Sequence, residues 1–176
     1  LVIPKGSGVI EIAGLLRTEN VIEDVRIFQL GVRLFSEGKP LRAGEYVFPK
    51  GVSASGAMGI MIAGKSITHL LTIPEGLTSE QIVQRLLENP ILTGNIREIP
   101  REGTLLPDTY NFTRGFAREK VIGLMQQAQQ RVLKDVWEHR QPDLPLRTPE
   151  QLVILASIVE KETGRADERT RVASVF

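Results

Sequence analysis

Leu1-Val2-Ile3-Pro4-Lys5-Gly6 and Leu71-Thr72-Ile73-Pro74-Glu75-Gly76 follow one pattern. Each is a short apolar stretch closed by a Pro-x-Gly turn, which reads as a strand and its stop. The likeness continues downstream. Setting residues 1–22 against 71–92 aligns Leu1, Ile3, Pro4, Gly6, Ile12 and Leu16 with Leu71, Ile73, Pro74, Gly76, Ile82 and Leu86. In the first copy, Val9, Ile10, Ile12, Ala13, Leu15 and Leu16 give a broad apolar helical face, with Ser7 placed to cap it. In the second, Thr78 and Gln81 have capping-box spacing ahead of a helix over 78–87. The chain mixes short strands with helices throughout, and the expected fold class is α+β. Two copies are too few for a solenoid, whose units depend on stacked neighbours.

The segments between and after the copies fill in the order. Val25, Phe28, Leu30, Val32 and Phe35 predict a helix over 23–36, stopped by Gly38 and Pro40. A strand over 44–49 follows, so the first part reads strand–helix–helix–strand. Residues 53–63, rich in Ala, Met and Gly, read as a helix, and 66–73 as a strand. Residues 89–116 lack periodicity and read as a long loop, a feature that is often functional. A long helix runs from Ala117 to His139, with Trp137 expected in the core. Thr148-Pro149-Glu150-Gln151 supplies an N-cap, a proline in the first turn and a glutamine at the third position. The helix that starts there should end at Gly164, and a helical pattern resumes from Ala166. The chain starts at Leu1 and stops within that pattern at Val175-Phe176, so it reads as a piece of something longer at both ends.

Composition narrows the chemistry. The chain has no cysteine, which removes disulfides, thiolate metal ligands and a cysteine nucleophile. His69 and His139 are far apart, so no histidine metal site is expected; His69 reads as a packed or edge residue of its strand. The net charge of +1 shows none of the basic excess of nucleic-acid binders. No apolar run reaches the ~20 residues that span a bilayer, and no signal peptide is visible.

One carboxylate stands out. With helical residues placed about 100° apart, Leu152, Leu155, Ala156, Ile158 and Val159 cluster on one side of their helix. Glu160 falls about 110° from the centre of that side, whereas Glu162 falls only about 50° from it. A carboxylate there is expected to be partly desolvated, which raises its pKa and suits it to general-acid work. Pairing with an arginine such as Arg165 or Arg169, or fraying of the helix before Glu162, is the ordinary alternative. Glu160 and Glu162 point to different sides of the helix, so one residue would carry any acid/base chemistry. Asp108 and Tyr110, in the long loop, are candidates to line a cleft, although Pro107-Asp108-Thr109 also reads as ordinary turn chemistry. Ser157 has neither a nearby histidine nor a Gly-x-Ser-x-Gly frame and reads as helix surface rather than nucleophile.

Leu155-Ala156-Ser157-Ile158-Val159-Glu160-Lys161-Glu162-Thr163-Gly164, followed by Glu168-Arg169 and Val172-Ala173-Ser174-Val175-Phe176, resembles the hallmark of the YceG-like endolytic murein transglycosylases. Glu102-Gly103 with Leu106-Pro107-Asp108-Thr109-Tyr110-Asn111-Phe112, and Leu41-Arg42-Ala43-Gly44-Glu45-Tyr46, resemble two further signatures in family order. The resemblance implies a LysM-like βααβ subdomain over 1–65 and a mixed, helix-rich catalytic domain over 66–176. It implies cleavage of the MurNAc–GlcNAc β-1,4 bond within nascent glycan strands, leaving 1,6-anhydroMurNAc ends. Glu162 corresponds to the family's catalytic glutamate, acting first as acid and then as base. Asp108, Tyr110, Ser157 and Glu160 are the expected substrate-binding residues. No metal or cofactor is implied. The expected partners are peptidoglycan glycan strands and cell-wall synthases. The expected location is the bacterial inner membrane, through a single N-terminal anchor outside this chain, with the catalytic part in the periplasm or cell exterior. The family pattern also continues past Phe176 with an Asn-Arg-Leu segment and an Asp-Pro-Thr loop that complete the cleft.

Two other readings stay open on the residues. One is a non-catalytic peptidoglycan-binding module, in which Glu162 is structural. The other is an aminodeoxychorismate lyase, as relatives of the family have been labelled. That activity needs pyridoxal phosphate on a Schiff-base lysine, and no lysine here sits in such a setting.

Overall fold

A computed structural model describes all residues from 1 to 176. The fold is α+β, with eleven elements in two compact units. The first unit comprises Leu1–His69 with Phe112–Gly115, and the second Leu70–Asn111 with Phe116–Phe176.

In the first unit, β1 (Val2–Ile3), α1 (Val9–Thr18), α2 (Val25–Phe35) and β2 (Gly44–Glu45) follow the predicted strand–helix–helix–strand order, and α3 (Ala54–Ala63) comes next. The strands pair antiparallel, Val2 opposite Glu45 and Ile3 opposite Gly44. The strand expected over 44–49 shortens to two residues because β1 offers no longer partner; Val47 is already exposed. Ile3, Ile12, Ala13, Leu16, Phe28, Val32, Tyr46 and the α3 residues Ala57, Met58 and Met61 form one apolar core. Asp24 caps α2 by accepting from the Arg26 and Ile27 amides. Ser7 does not cap α1. Gly8 is the N-cap residue, and the Ser7 Oγ is buried without a partner.

Next in the chain come β3 (Thr68–Thr72), whose first two residues belong to the first unit, and β4 (Thr109–Thr113), whose last two do; α4 (Ser79–Glu88), α5 (Arg118–Glu138), α6 (Pro149–Glu162) and α7 (Arg169–Ala173) belong to the second unit. The predicted capping boxes form at both Thr78 and Thr148. β4 lies inside the segment expected to be a loop. Its Tyr110 and Phe112 turn inward between exposed Thr109 and Asn111, an alternation masked by Pro107-Asp108 before it and Gly115 after it. β3 and β4 form the second sheet. The Ile73 amide meets the Asp108 carbonyl at 2.9 Å, the Thr72 and Thr109 hydroxyls meet at 2.9 Å, and His69 stacks on Phe112. Partners that descend on one strand as they ascend on the other make the pairing antiparallel.

The duplication runs further than the strand–turn–helix match. Ile3 and Ile73, Ile12 and Ile82, and Leu16 and Leu86 are all buried, and Gly6 and Gly76 turn with φ of +87° and +74°. A second block repeats at a spacing of 64 residues. The Tyr46 hydroxyl donates to the Arg42 carbonyl at 2.7 Å, and the Tyr110 hydroxyl donates to the Leu106 carbonyl at 2.7 Å. The Arg42 amide donates to Met61 O at 3.3 Å, and the Leu106 amide to Met125 O at 3.3 Å. Met61 and Met125 are both fully buried. Apart from α2, which has no counterpart in the second copy, each copy is therefore strand–helix–strand–helix, with α3 and the first half of α5 equivalent. The copies differ in that α5 has 21 residues where α3 has 10. Trp137 lies in that extra length. It is half-buried rather than in the core, covered by the Arg140 guanidinium 3.9 Å above its ring. Val132 and Val136 beside it are 46% exposed, so little else packs there.

Candidate active site

The C-terminal end of α6 is where the singled-out carboxylates fall. Thr148 and Gln151 start this helix, Pro149 occupies its first turn, and Thr163 ends it in an extended conformation. Gly103 lies against its middle. With φ of +75°, a Cβ there would come within 2.9 Å of Val153 Cγ1. Gly76, in the turn after β3, lies against its end, beside Glu160 and Lys161.

Glu162 is exposed, so the expected desolvation is not found. The reason is where the helix is truly buried. Val159 is its buried residue and Thr163, its C-cap, is buried too; an axis through these two positions passes about 80° from Glu162 rather than 50°. The ordinary alternative is not found either. Arg165 binds Asp167 at 2.8 Å and approaches Glu168 at 3.5 Å, while Arg169 reaches Glu160 at 3.4 Å. Among the four acidic residues from 160 to 168, Glu162 alone makes no hydrogen bond or ion pair.

The other expected site residues are occupied. Glu160 is half-buried and held by Arg169. Ser157 is exposed, and its hydroxyl donates to the Ile154 carbonyl at 2.7 Å, as the surface reading expects. Asp108 is exposed and accepts from the Thr109 amide at 2.6 Å. Tyr110 is half-buried, and its hydroxyl is committed to Leu106. Burial, with Asp108 adding to it, pushes its pKa up to about 12. No hydrogen bond or ion pair joins Asp108 or Tyr110 to α6. Two concave surfaces, one on α4 around Gln81, Gln84 and Arg85 and one on α5 around Gln130 and Arg131, include none of the expected residues.

The sequence profile of the YceG-like family matches residues 1–176. The chain belongs to the YceG-like family. Among curated relatives, the endolytic murein transglycosylase of Streptococcus pneumoniae serotype 2 strain D39 is 24% identical over 217 residues, covering 99% of this chain and 39% of that protein. The endolytic murein transglycosylase of Bacillus subtilis strain 168 is 24% identical over 208 residues, covering 99% of this chain and 56% of that protein. The chain thus spans about two fifths to just over half the length of these relatives. A crystal structure of a putative YceG-like protein from Listeria monocytogenes aligns over 96% of this chain and 65% of its own, at 23% identity and a TM-score of 0.42.

Sequence reasoning passed over two residues of this family segment. Thr163 is one of two buried polar residues in the chain, the other being Ser79. Its hydroxyl donates to Glu168 Oε2 at 3.0 Å and accepts from the Arg165 amide at 3.0 Å. The signal was available, because Thr163 falls within the apolar arc of the helical wheel drawn for α6. Glu102 has a role that spacing does not reveal. Both its oxygens accept from the Ser79 amide, at 3.1 and 3.0 Å, at the start of α4.

Proposed function

We propose that this chain forms the catalytic portion of an endolytic peptidoglycan lytic transglycosylase, with Glu162 as its acid and base. The observation that carries this reading is the free carboxylate at the end of α6. Every acidic neighbour is neutralised or hydrogen-bonded, while Glu162 stays open to a ligand. Family membership and the names of the relatives support the same reaction.

In that reaction the protonated Glu162 gives its proton to the oxygen of the MurNAc–GlcNAc β-1,4 bond as the C1–O bond breaks. The carboxylate then takes the proton of the MurNAc C6 hydroxyl as O6 bonds to C1. This closes the 1,6-anhydro ring and restores the acid. No water enters, so the second carboxylate that hydrolytic glycosidases use to activate water or attack the sugar has no task here.

The remaining assignments follow from this reading. Residues 1–65 act as a LysM-like module that holds glycan, and residues 66–176 contribute to the catalytic domain. The βααβ order of the first unit supports that division. The enzyme works on the outer side of the bacterial inner membrane, held by a single N-terminal anchor and alongside cell-wall synthases. In this chain, no helix is long and apolar enough to cross a membrane. Tyr110 is part of the scaffold rather than a ligand contact, because Tyr46 makes the same bond in the first copy.

The test is digestion of uncrosslinked glycan strands by the full-length protein, read by mass spectrometry. The expected products are internal fragments with 1,6-anhydro ends, lost in Glu162→Gln and retained in part by Glu160→Gln. Reducing ends, or equal loss in both variants, would overturn the single-carboxylate mechanism. Binding without cleavage would leave a glycan-binding module.

A further inference from the structure

We infer that Thr163 and Glu168 form a clamp that fixes where α6 ends and thereby aims the Glu162 carboxylate. The inference rests on the catalytic reading of Glu162 and assigns two positioning residues to it. Glu162 is the last residue of α6 and has no side-chain partner, so only its backbone can set the direction in which it leaves the helix. That backbone is held from the next residue. The Thr163 amide donates to Val159 O at 3.1 Å, completing the last turn. The Thr163 hydroxyl, buried with its residue only 7% exposed, does two things. It accepts from the Arg165 amide at 3.0 Å, which turns the chain sharply away from the helix axis. It donates to Glu168 Oε2 at 3.0 Å, which ties the start of α7 back to the end of α6.

Glu168 is held in turn. Its Oε1 lies 3.5 Å from Arg165 Nε and 4.0 Å from an Arg171 nitrogen. A second tie runs parallel, from Arg169 to Glu160 at 3.4 Å. The two ties flank Glu162 and leave it free. A reacting group held only through its backbone is sensitive to small movements, and a shift of about 1 Å can cost ~100-fold in rate.

The experiment uses the full-length protein on uncrosslinked glycan strands, with kcat and KM measured separately. Thr163→Val removes the hydroxyl and keeps the shape; it is expected to lower kcat about 10- to 100-fold with KM and glycan binding within about twofold. Thr163→Ser keeps the hydroxyl and should recover kcat to within a fewfold. Glu168→Ala should reproduce the Thr163→Val loss, whereas Glu168→Gln keeps an acceptor oxygen and should be mild. The Thr163→Val/Glu168→Ala pair should lose less than the product of the two single losses, since both changes break the Thr163–Glu168 bond. Thermal midpoints are measured alongside. Glu168 is partly exposed, so Glu168→Ala tests the clamp even where Thr163→Val impairs folding. A normal kcat in Glu168→Ala, or a failure of Thr163→Ser to restore rate, overturns the clamp alone. Full activity in Glu162→Gln overturns the catalytic reading, and the clamp with it.

Discussion

Replacing Arg118 with alanine should destabilise the second unit more than any other surface-charge deletion in the chain. Arg118 is the first residue of α5, and its guanidinium donates to four backbone carbonyls: Leu86 at 2.7 Å, Leu87 at 3.2 Å, Asn89 at 2.9 Å and Gly94 at 2.6 Å. Two of these belong to the last turn of α4. That helix ends at Asn89 in an extended conformation, so its final carbonyls lack the bonds that a left-handed cap would supply. A cation there also complements the negative end of the helix dipole, worth about 0.3–1 kcal/mol. Hydrogen bonds to a charged donor contribute roughly 1.5–3 kcal/mol each. Arg118 is half-buried, however, so water replaces part of what is lost. A net cost of about 2–4 kcal/mol follows, or a fall of roughly 5–15 °C in Tm for a chain of this size. Arg118→Lys keeps the charge but not the planar fork and should recover less than half. Denaturant titration gives the energies, and hydrogen exchange at residues 86–94 locates them. A loss below about 0.5 kcal/mol in Arg118→Ala, or full recovery by lysine, would refute the argument that the fork closes α4.

Gly103→Ala should cost about 2–3 kcal/mol, because it combines a φ of +75° with a Cβ 2.9 Å from Val153 Cγ1. Val153→Ala in the same chain should relieve the contact part and leave the backbone part, which a double-mutant cycle by denaturation would separate. Stability should also fall with acid through Glu45. Arg114, bonded to Glu45 at 3.0 Å, and His69 at 2.6 Å hold its pKa below the ordinary value of 4.5. The folded form therefore binds its proton later than the unfolded chain. The contribution of Glu45 is present above about pH 4.5 and is lost as pH falls below it; Arg114→Gln should flatten that acid limb in a pH series of unfolding curves.

Where the sequence was readable, a local physical cause lay within a few residues. The capping boxes at Thr78 and Thr148 formed as their spacing required, and the Pro-x-Gly turns closed both first strands. What escaped depended on distant partners. β4 exists because Thr72 and Ile73 pair with Thr109 and Asp108, and nothing in residues 89–116 announces that pairing. Ser7 lost its capping place to Gly8, one residue on. The error at Glu162 was one of degree. The wheel identified the helix and its apolar side, but the buried axis depends on which neighbours cover α6, and they cover Val159 and Thr163.

The duplication bears on where the proposed Glu162 site would lie. Through Met61 in one copy and Met125 in the other, the two units share their turns, tyrosine bonds and buried positions. Those features are scaffold, since the first copy has them without any counterpart of Glu162. The difference begins beyond Met125, where α5 runs on and α6 and α7 are added. On the proposed reading, the catalytic group belongs to what is added to the common scaffold. Within these additions, the end of α6 carries a carboxylate without a partner, Glu162, with a set of ties on either side of it. Transplanting the argument to the first copy gives a sharp contrast: changes at Tyr46 and Tyr110 should act on stability alone, and only changes from Glu160 to Glu168 should act on rate.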